Sequence, residues 1–135
     1  KLRHLNDFIA RRRAAADYYE QALTSVPGII TPKHTPGSTH AYHQYTIRLD
    51  SRLRDTARTA MAAADIPTMV YYPLPIHQQE AYRPLCPKQM ACPNAEALSA
   101  SVLSLPMHTE LDTEQLHYIT SQLISIVSRL NSSSH

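Results

Sequence analysis

The spacing of apolar residues along the chain predicts helices that alternate with strands. Residues 2–25 place an apolar side chain at each helical turn, and Pro27 then ends the pattern. The apolar stripe consists of Leu2, Leu5, Ile9, Ala16, Tyr19 and Leu23. Residues 41–49 instead alternate between apolar and polar positions, which is typical of a half-buried strand. Its inward side chains are Tyr45, Ile47 and Leu49.

Three further segments continue this alternation. A short extended piece is predicted at 28–31, and a helix over about 51–64 with Asp50 or Ser51 as its cap. The apolar stripe of that helix is Leu53, Ala57, Ala60, Met61 and Ala64. A strand is then predicted at 68–72, where β-branched and aromatic residues follow a proline.

The last part of the chain has the clearest helix signals. Asn94 is predicted to cap a short helix that ends near Ser101, and Val102–Leu105 is predicted as a brief strand. Asp112 and Gln115 have the spacing of a reciprocal capping box at the start of the final helix. The apolar stripe of this helix is Leu116, Ile119, Leu123, Ile126 or Val127, and Leu130.

Helices and strands in this order predict an α/β fold. Because the strands are few, we expect a small sandwich with a three- or four-stranded mixed or antiparallel sheet covered by helices. The 135 residues correspond to one domain. The chain begins inside a helical pattern without an initiator Met, which leads us to expect that it belongs to a longer protein.

Composition narrows the classes of function. A hydrophobic content of 43% and a charged content of 18% favour a folded globular chain. The net charge of +2 is too small to indicate a nucleic-acid partner, and no apolar run approaches the length of a membrane span. With only two glycines, the chain has no glycine-rich loop for phosphate binding. We expect a cytoplasmic protein without nucleic-acid or membrane partners.

Histidines and cysteines suggest metal chemistry, but their spacing argues against it. His40 and His43 are three positions apart, so on a regular strand they would face opposite sides and could not chelate one ion. Cys86 and Cys92 with His77 lack the short paired spacings of a structural zinc site. The two cysteines could form a disulfide, but reduced thiols fit better with a chain that has no signal peptide.

Residues 66–82 form the strongest candidate site. Two prolines stiffen a turn that brings together Tyr71, Tyr72, His77 and Gln79. These side chains donate and accept hydrogen bonds without a fixed charge, which suits hydroxyl-rich ligands. Since Tyr71 and Tyr72 are neighbours on a predicted strand, we expect one to face the core and the other the open side.

Four segments, in chain order, carry a family resemblance. They are LNDFIARRR at 5–13, HQYTIR at 43–48, IPTMVYYPLPIHQQ at 66–79, and PNAE at 93–96 followed by VLSLPMH at 102–108. Together they resemble the C-terminal small domain of sugar aminotransferases of the DegT/DnrJ/EryC1/StrS type. These are pyridoxal phosphate (PLP) enzymes of the aspartate aminotransferase superfamily, with fold type I. The resemblance covers about residues 2–130.

The resemblance implies that two domains of the parent enzyme have different roles. Residues 1–135 would be the small domain, and a larger N-terminal domain outside this chain would hold PLP and the Schiff-base lysine. No lysine of this chain lies in a matching motif, so the resemblance implies no catalytic or cofactor-binding residue here. Tyr71, Tyr72, His77 and Gln79 would hydrogen-bond the sugar or its diphosphate rather than transfer protons.

The reaction implied for the parent enzyme moves an amino group from an amino acid, expected to be glutamate, to a nucleotide-linked keto sugar. The products would feed polysaccharide, glycan or antibiotic sugar synthesis, and the parent would be a homodimer. Two alternatives stay open. A dehydratase of the same family would carry His in place of the lysine, and a non-catalytic interaction module would expose an apolar surface. We therefore expect helix residues Phe8 and Ile9 and the 71–82 turn to be partly uncovered.

Overall fold

The computed structural model describes residues 2–87 and 90–133. The helices and strands are α1 (Leu5–Leu23), β1 (Tyr45–Arg48), α2 (Arg54–Ala63), α3 (Pro93–Ser101), β2 (Val102–Leu105) and α4 (Thr113–Ser132). Short 3₁₀ turns lie at Leu2–His4, Ile76–Gln78 and Arg83–Leu85. This order confirms the α/β class, and the bounds of β2 coincide with the predicted strand.

The sheet is smaller than predicted. Within the described residues it has two strands, β1 and β2, which pair antiparallel over four residues each. The predicted extended pieces contribute only single bridges, Ile30 with Arg48 and Met69 with Ser104. Prolines flank both bridging segments, and proline has no N–H to extend a ladder. The expectation of a third or fourth strand, and of a strand over 68–72, was therefore wrong.

The core lies between one face of this sheet and the helices α1, α2 and α4. Along β1, Tyr45 and Ile47 are buried while Thr46 and Arg48 are not, as the alternating pattern predicted. The largest fully buried side chains are Tyr19, Tyr45, Leu23, Ile47, Met61, Leu103 and Leu123. The rings of Tyr19 and Tyr45 are tilted with centroids 5.0 Å apart, so α1 packs directly on β1.

Polar groups at the edge of the core fix α1 to the sheet. The carboxylate of Glu20 accepts hydrogen bonds from the hydroxyls of Thr31 (3.1 Å) and Tyr45 (3.0 Å). The hydroxyl of Tyr19 donates to the carbonyl of Pro106 at 2.8 Å. Burial raises the pKa of both tyrosines above its ordinary value, with the Glu20 hydrogen bond adding to the effect at Tyr45. Both phenols therefore stay protonated as donors.

The predicted caps of α2 were wrong. The helix begins at Arg54, three residues after the predicted start at Ser51, and it has no side-chain cap. Asp50 instead stabilises the preceding turn, because its carboxylate accepts the backbone N–H and the guanidinium of Arg52. The Arg52 hydrogen bonds lower the pKa of Asp50 to about 2. A carboxylate in this position competes with the helix for local donors, which explains the late start.

Of the predicted N-caps of α3 and α4, only the second is present in the structure. Asn94 does not cap α3, because Pro93 occupies the first helical position and Cys92 is the N-cap. The capping box of α4 is confirmed. The Asp112 side chain accepts the backbone N–H of Gln115 at 2.7 Å, and the Gln115 side chain accepts the backbone N–H of Asp112 at 3.1 Å.

The opposite face of the sheet carries no long helix in the described part of the chain. The hydroxyls of Thr46 and Ser104 lie across from each other on this face, 2.8 Å apart. Ile30 and Met69, one at each edge, are about half exposed at 49% each. We call this surface the open face, and Tyr71 borders a cavity on it together with Ser104.

Candidate functional site

The segment that follows Met69 leaves the sheet at the open face. Met69 is bound to Ser104 by two backbone hydrogen bonds of 3.0 and 2.8 Å. Pro73 follows within four residues, so the ladder stops there and the chain turns away. Pro75 is buried and precedes the 3₁₀ turn Ile76–Gln78. This turn carries His77, Gln79 follows it directly, and Tyr71 and Tyr72 precede it.

Both tyrosines of this segment are exposed. Tyr71 is 50% exposed and Tyr72 is 75% exposed, so the prediction that one of them faces the core was wrong. Val70 packs against the core, and Tyr71 is therefore on the same side of the chain as Met69. Tyr72 would return to the core side in a longer strand, but the chain has left the sheet by that point. Tyr71 therefore borders a cavity at the open face, and Tyr72 is exposed where the chain leaves the sheet, so both rings are accessible.

His77 is held by a partner from α3. Its Nε2 lies 2.9 Å from Oε1 of Glu96, and only 9% of the His77 side chain is exposed. The same Glu96 oxygen accepts the backbone N–H of Cys92 at 3.0 Å. The Cys92 hydrogen bond and then the His77 hydrogen bond lower the pKa of Glu96. Glu96 thus connects the first turn of α3 to the loop that carries His77.

Gln79 has a role within the same loop. Its side-chain amide donates to the carbonyl of Leu74 at 3.2 Å, and Arg83 donates to the carbonyl of Gln78 at 3.2 Å. These contacts close the loop on itself, with the Pro75 and Ile76 carbonyls also accepting backbone N–H groups. Gln79 and His77 therefore stabilise the shape of the turn.

The structure does not bring the four predicted residues into one cavity. Tyr71 borders a cavity of about 190 Å³ together with Met69 and Ser104. His77 borders a separate cavity of about 510 Å³ together with Arg83 and Cys86. The Tyr71 cavity faces the sheet, whereas the His77 cavity lies between the loop and α3. Their roles in substrate binding remain predictions.

A third cavity, of about 330 Å³, lies beside the open face and was missed by the sequence analysis. It is bordered by Lys33, His34, His40 and His43. The sequence analysis expects His40 and His43 to face opposite sides of a regular strand. This was wrong, because β1 begins only at Tyr45 and both histidines are exposed in the loop before it. The sequence does contain a signal for this cluster, because four basic residues lie between Pro32 and the start of β1.

The backbone explains why both histidines border the same cavity. Tyr42 has a positive φ of 47°, a left-handed conformation that reverses the local chain direction. The Nδ1 atom of His40 accepts the backbone N–H of Tyr42 at 2.9 Å, and their rings are 4.4 Å apart. The guanidinium of Arg13 donates to the carbonyl of His40 at 2.9 Å and fixes this loop to α1.

The described residues do not form a metal or PLP site by themselves. Over 2–87 and 90–133, no group of three His, Cys, Asp or Glu side chains could hold a metal ion. A Schiff base with PLP needs a desolvated lysine, but Lys33 is exposed in its loop and the other two lysines lie outside the described ranges. Cys86 and Cys92 are both free thiols. The helices in this part of the chain are not long and apolar enough to span a membrane.

The described residues thus form a two-layer α/β domain with one face covered by helices and one polar, aromatic open face. Comparison with known proteins identifies the family. The DegT/DnrJ/EryC1/StrS aminotransferase family matches residues 1–124. The chain therefore belongs to this family, as the resemblance implied.

Relatives with known names match the chain over almost its whole length. It is 40% identical over 113 residues to the UDP-N-acetyl-3-dehydro-alpha-D-glucosamine 3-aminotransferase of Acidithiobacillus ferrooxidans, covering 84% of this chain and 29% of that protein. It is 38% identical over 125 residues to the pleiotropic regulatory protein of Geobacillus stearothermophilus, covering 91% of this chain and 33% of the relative.

A solved structure confirms the fold. The crystal structure of S. venezuelae DesV, in complex with a ketimine intermediate, superposes with a TM-score of 0.89 at 32% identity. The match covers 95% of this chain and 34% of DesV. The chain thus spans about a third of the length of the relatives that it matches.

Proposed function

We propose that this chain is the substrate-side domain of a PLP-dependent aminotransferase that acts on a nucleotide-linked keto sugar. The amino group would come from an amino acid, with glutamate the expected donor. Family membership supports this proposal, and so does the name of the Acidithiobacillus relative, which specifies a UDP-linked dehydro sugar. The product would enter glycan or polysaccharide synthesis.

The exposed pair of tyrosines on the open face is the observation that carries the proposal. A phenol both donates and accepts a hydrogen bond, and its ring packs on the apolar face of a sugar. Tyr71 and Tyr72 would contact the sugar directly. His77 bonds to Glu96 of α3, and Gln79 bonds to the carbonyl of Leu74 within the loop, so both would orient the turn rather than supply or remove protons.

PLP, when bound, supplies the electron sink that amino transfer requires. The residues described here do not fit a PLP-holding role, so we assign the Schiff-base lysine, the acid facing the pyridine nitrogen and the phosphate cup to a domain beyond this chain. This chain's part would be to bind and orient the sugar and to exclude water from it. On its own it would be inactive.

Exposed apolar side chains support the existence of a docking partner within the same protein. The first helix and the 3₁₀ turn before it expose Leu2, Leu5 and Phe8, at 85%, 48% and 36%. The turn and its surroundings expose Leu74 and Ile76, at 51% and 66%. These exposures agree with the expected uncovered surface. We propose that the remaining domain covers them, that the complete protein is a homodimer, and that it works in the cytoplasm, where free thiols persist.

The test is an amino-transfer assay on the longest reading frame that contains this chain. The purified protein, supplied with PLP, glutamate and candidate UDP-linked or dTDP-linked keto sugars, should form an amino sugar detectable by mass spectrometry. Because each lost hydrogen bond costs about 1 kcal/mol, Tyr72→Phe should lower kcat/KM about fivefold. Tyr118→Phe, on the helical side, is the control and should leave kcat/KM unchanged.

Two other results would contradict the aminotransferase proposal. A product that has lost water but gained no nitrogen would identify the dehydratase of the same family. A reading frame that binds no PLP and converts no sugar would favour an interaction module. The name of the Geobacillus relative, a pleiotropic regulatory protein, makes this second outcome worth measuring.

A further inference from the structure

The cavity of about 330 Å³ beside the open face is basic and rich in hydrogen-bond donors. Its walls include the ammonium of Lys33, the imidazoles of His34, His40 and His43, and the hydroxyls of Ser38 and Thr46. All of the residues that border this cavity are described, and none of them is acidic. Its volume is within the range of small-molecule sites.

Further positive charge lies around this cavity. Arg13 donates to the carbonyl of His40, which brings its guanidinium to the loop. Arg48 is exposed and lies two residues after Thr46 on β1, so both point to the open face. Ammonium, guanidinium and imidazole N–H groups together with hydroxyls are the donors that proteins use for phosphate oxygens. The chemistry of the cavity therefore favours an anion with several oxygens.

The basic cavity is continuous with the tyrosine side of the open face. His43 and Gln44 border both this cavity and the smaller cavity that contains Tyr71. A ligand could therefore extend from Tyr71 past Gln44 to Lys33 without leaving the surface. A nucleotide-linked sugar has this arrangement, since its neutral hydroxyl-rich sugar is joined to an anionic diphosphate.

We infer that the cavity bordered by Lys33, His34, His40 and His43 is the subsite for the diphosphate of the sugar nucleotide. This inference rests on the proposed function and extends it, because it assigns the anionic part of the substrate to a loop that the sequence analysis had set aside. The sugar would lie at Tyr71 and Tyr72, and the nucleoside would extend beyond Lys33.

The test is a titration of the isotope-labelled 135-residue chain in which the NMR chemical shifts of the backbone amides are measured. The ligands are inorganic pyrophosphate, UDP-N-acetylglucosamine and uridine. Pyrophosphate and the sugar nucleotide should shift amides between residues 33 and 46 in a saturable manner, whereas uridine should not. Affinity in the millimolar range is expected, because one domain supplies only part of a complete site.

Two double variants make the test specific. Lys33→Gln with His34→Gln should weaken pyrophosphate binding about tenfold, since hydrogen bonds to charged groups contribute more than neutral ones. Arg58→Gln with His117→Gln likewise removes one cationic side chain and one histidine, from exposed positions on α2 and α4, on the other side of the sheet. This control should leave the affinity unchanged. His40 is kept intact because its ring holds the Tyr42 backbone.

Three outcomes would overturn the inference. One is the absence of a saturable shift with pyrophosphate at residues 33–46, and another is equal weakening by both double variants, which would indicate unspecific charge attraction. In the third, UDP-N-acetylglucosamine shifts the amides of Tyr71 and Tyr72 but none in the basic cavity. The proposed sugar-binding function would then stand, and only the diphosphate assignment would fail.

Discussion

At the scale of single residues, Glu96 shows how one carboxylate can fix a loop. It accepts hydrogen bonds from the backbone of Cys92 and from the ring of His77, and both favour its ionised form. Its folded-state pKa is therefore below the ordinary value. A group with a lowered folded-state pKa stabilises the fold above its unfolded pKa, and this contribution is lost as the pH falls through the folded pKa.

Glu96→Gln should consequently lower the melting temperature at neutral pH and lower it less at about pH 3, because the contribution of the ionised carboxylate decreases as the pH falls below the usual carboxyl range. The measurement is thermal unfolding of both proteins, followed by circular dichroism at the two pH values. Glu80→Gln is the matched control, since Glu80 lies exposed in the same loop region. An equal decrease at both pH values would show that Glu96 acts through packing rather than through its charge.

The residues at the site show what the sequence could predict and what it could not. Residue type indicated a turn stiffened by Pro73 and Pro75, but it wrongly placed one of Tyr71 and Tyr72 against the core. The Glu96 partner of His77 is 19 positions away, and no local pattern identifies such a contact. The shared cavity of His40 and His43 depends on the positive φ of Tyr42, which a non-glycine residue rarely adopts. The assumption of a regular strand therefore failed there.

At the scale of elements, the final helix is defined by its own sequence. The capping box of Asp112 and Gln115 closes the start of α4, and the buried stripe of this helix lies where the apolar spacing placed it. It includes Leu116, Ile119, Leu123, Ile126 and Val127. Both signals are local, within one or two helical turns, which is why they could be read correctly.

Asp112→Ala should lower the free energy of unfolding by about 1 kcal/mol, because an orphan N–H at the helix start loses its acceptor. Asp112→Ser retains an oxygen in that position and should recover most of the loss. Urea unfolding of the three proteins measures both differences. If the alanine and serine variants were equally unstable, the cap would not be the cause.

The strands were predicted less well than the helices for a physical reason. Pairing of β1 with β2 joins residues more than 50 positions apart, and the bridge from Met69 joins residues 35 positions apart. Alternation marks a segment as extended, but the number of ladder hydrogen bonds depends on where prolines interrupt it. The expected extra strands thus exist only as the bridges at Ile30 and Met69.

At the scale of the whole molecule, the domain is asymmetric. Three helices cover one face of the sheet, while the other face presents hydroxyls, two tyrosines and a basic cavity. Exposed apolar residues on α1 and on the turn add a surface that suits contact with another domain. The chain spans about a third of the length of its relatives.

The central claim is that the open face binds a nucleotide-linked sugar through Tyr71 and Tyr72. The most direct measurement is an NMR titration of the 135-residue chain with UDP-N-acetylglucosamine, compared with the Tyr71→Phe/Tyr72→Phe double variant. We predict saturable shifts centred on these tyrosines with a Kd near 1 mM, and about tenfold weaker binding without the two hydroxyls. Tyr82→Phe should bind like the parent chain. Saturable shifts confined to the helical face, or binding unaffected by loss of both hydroxyls, would contradict the account.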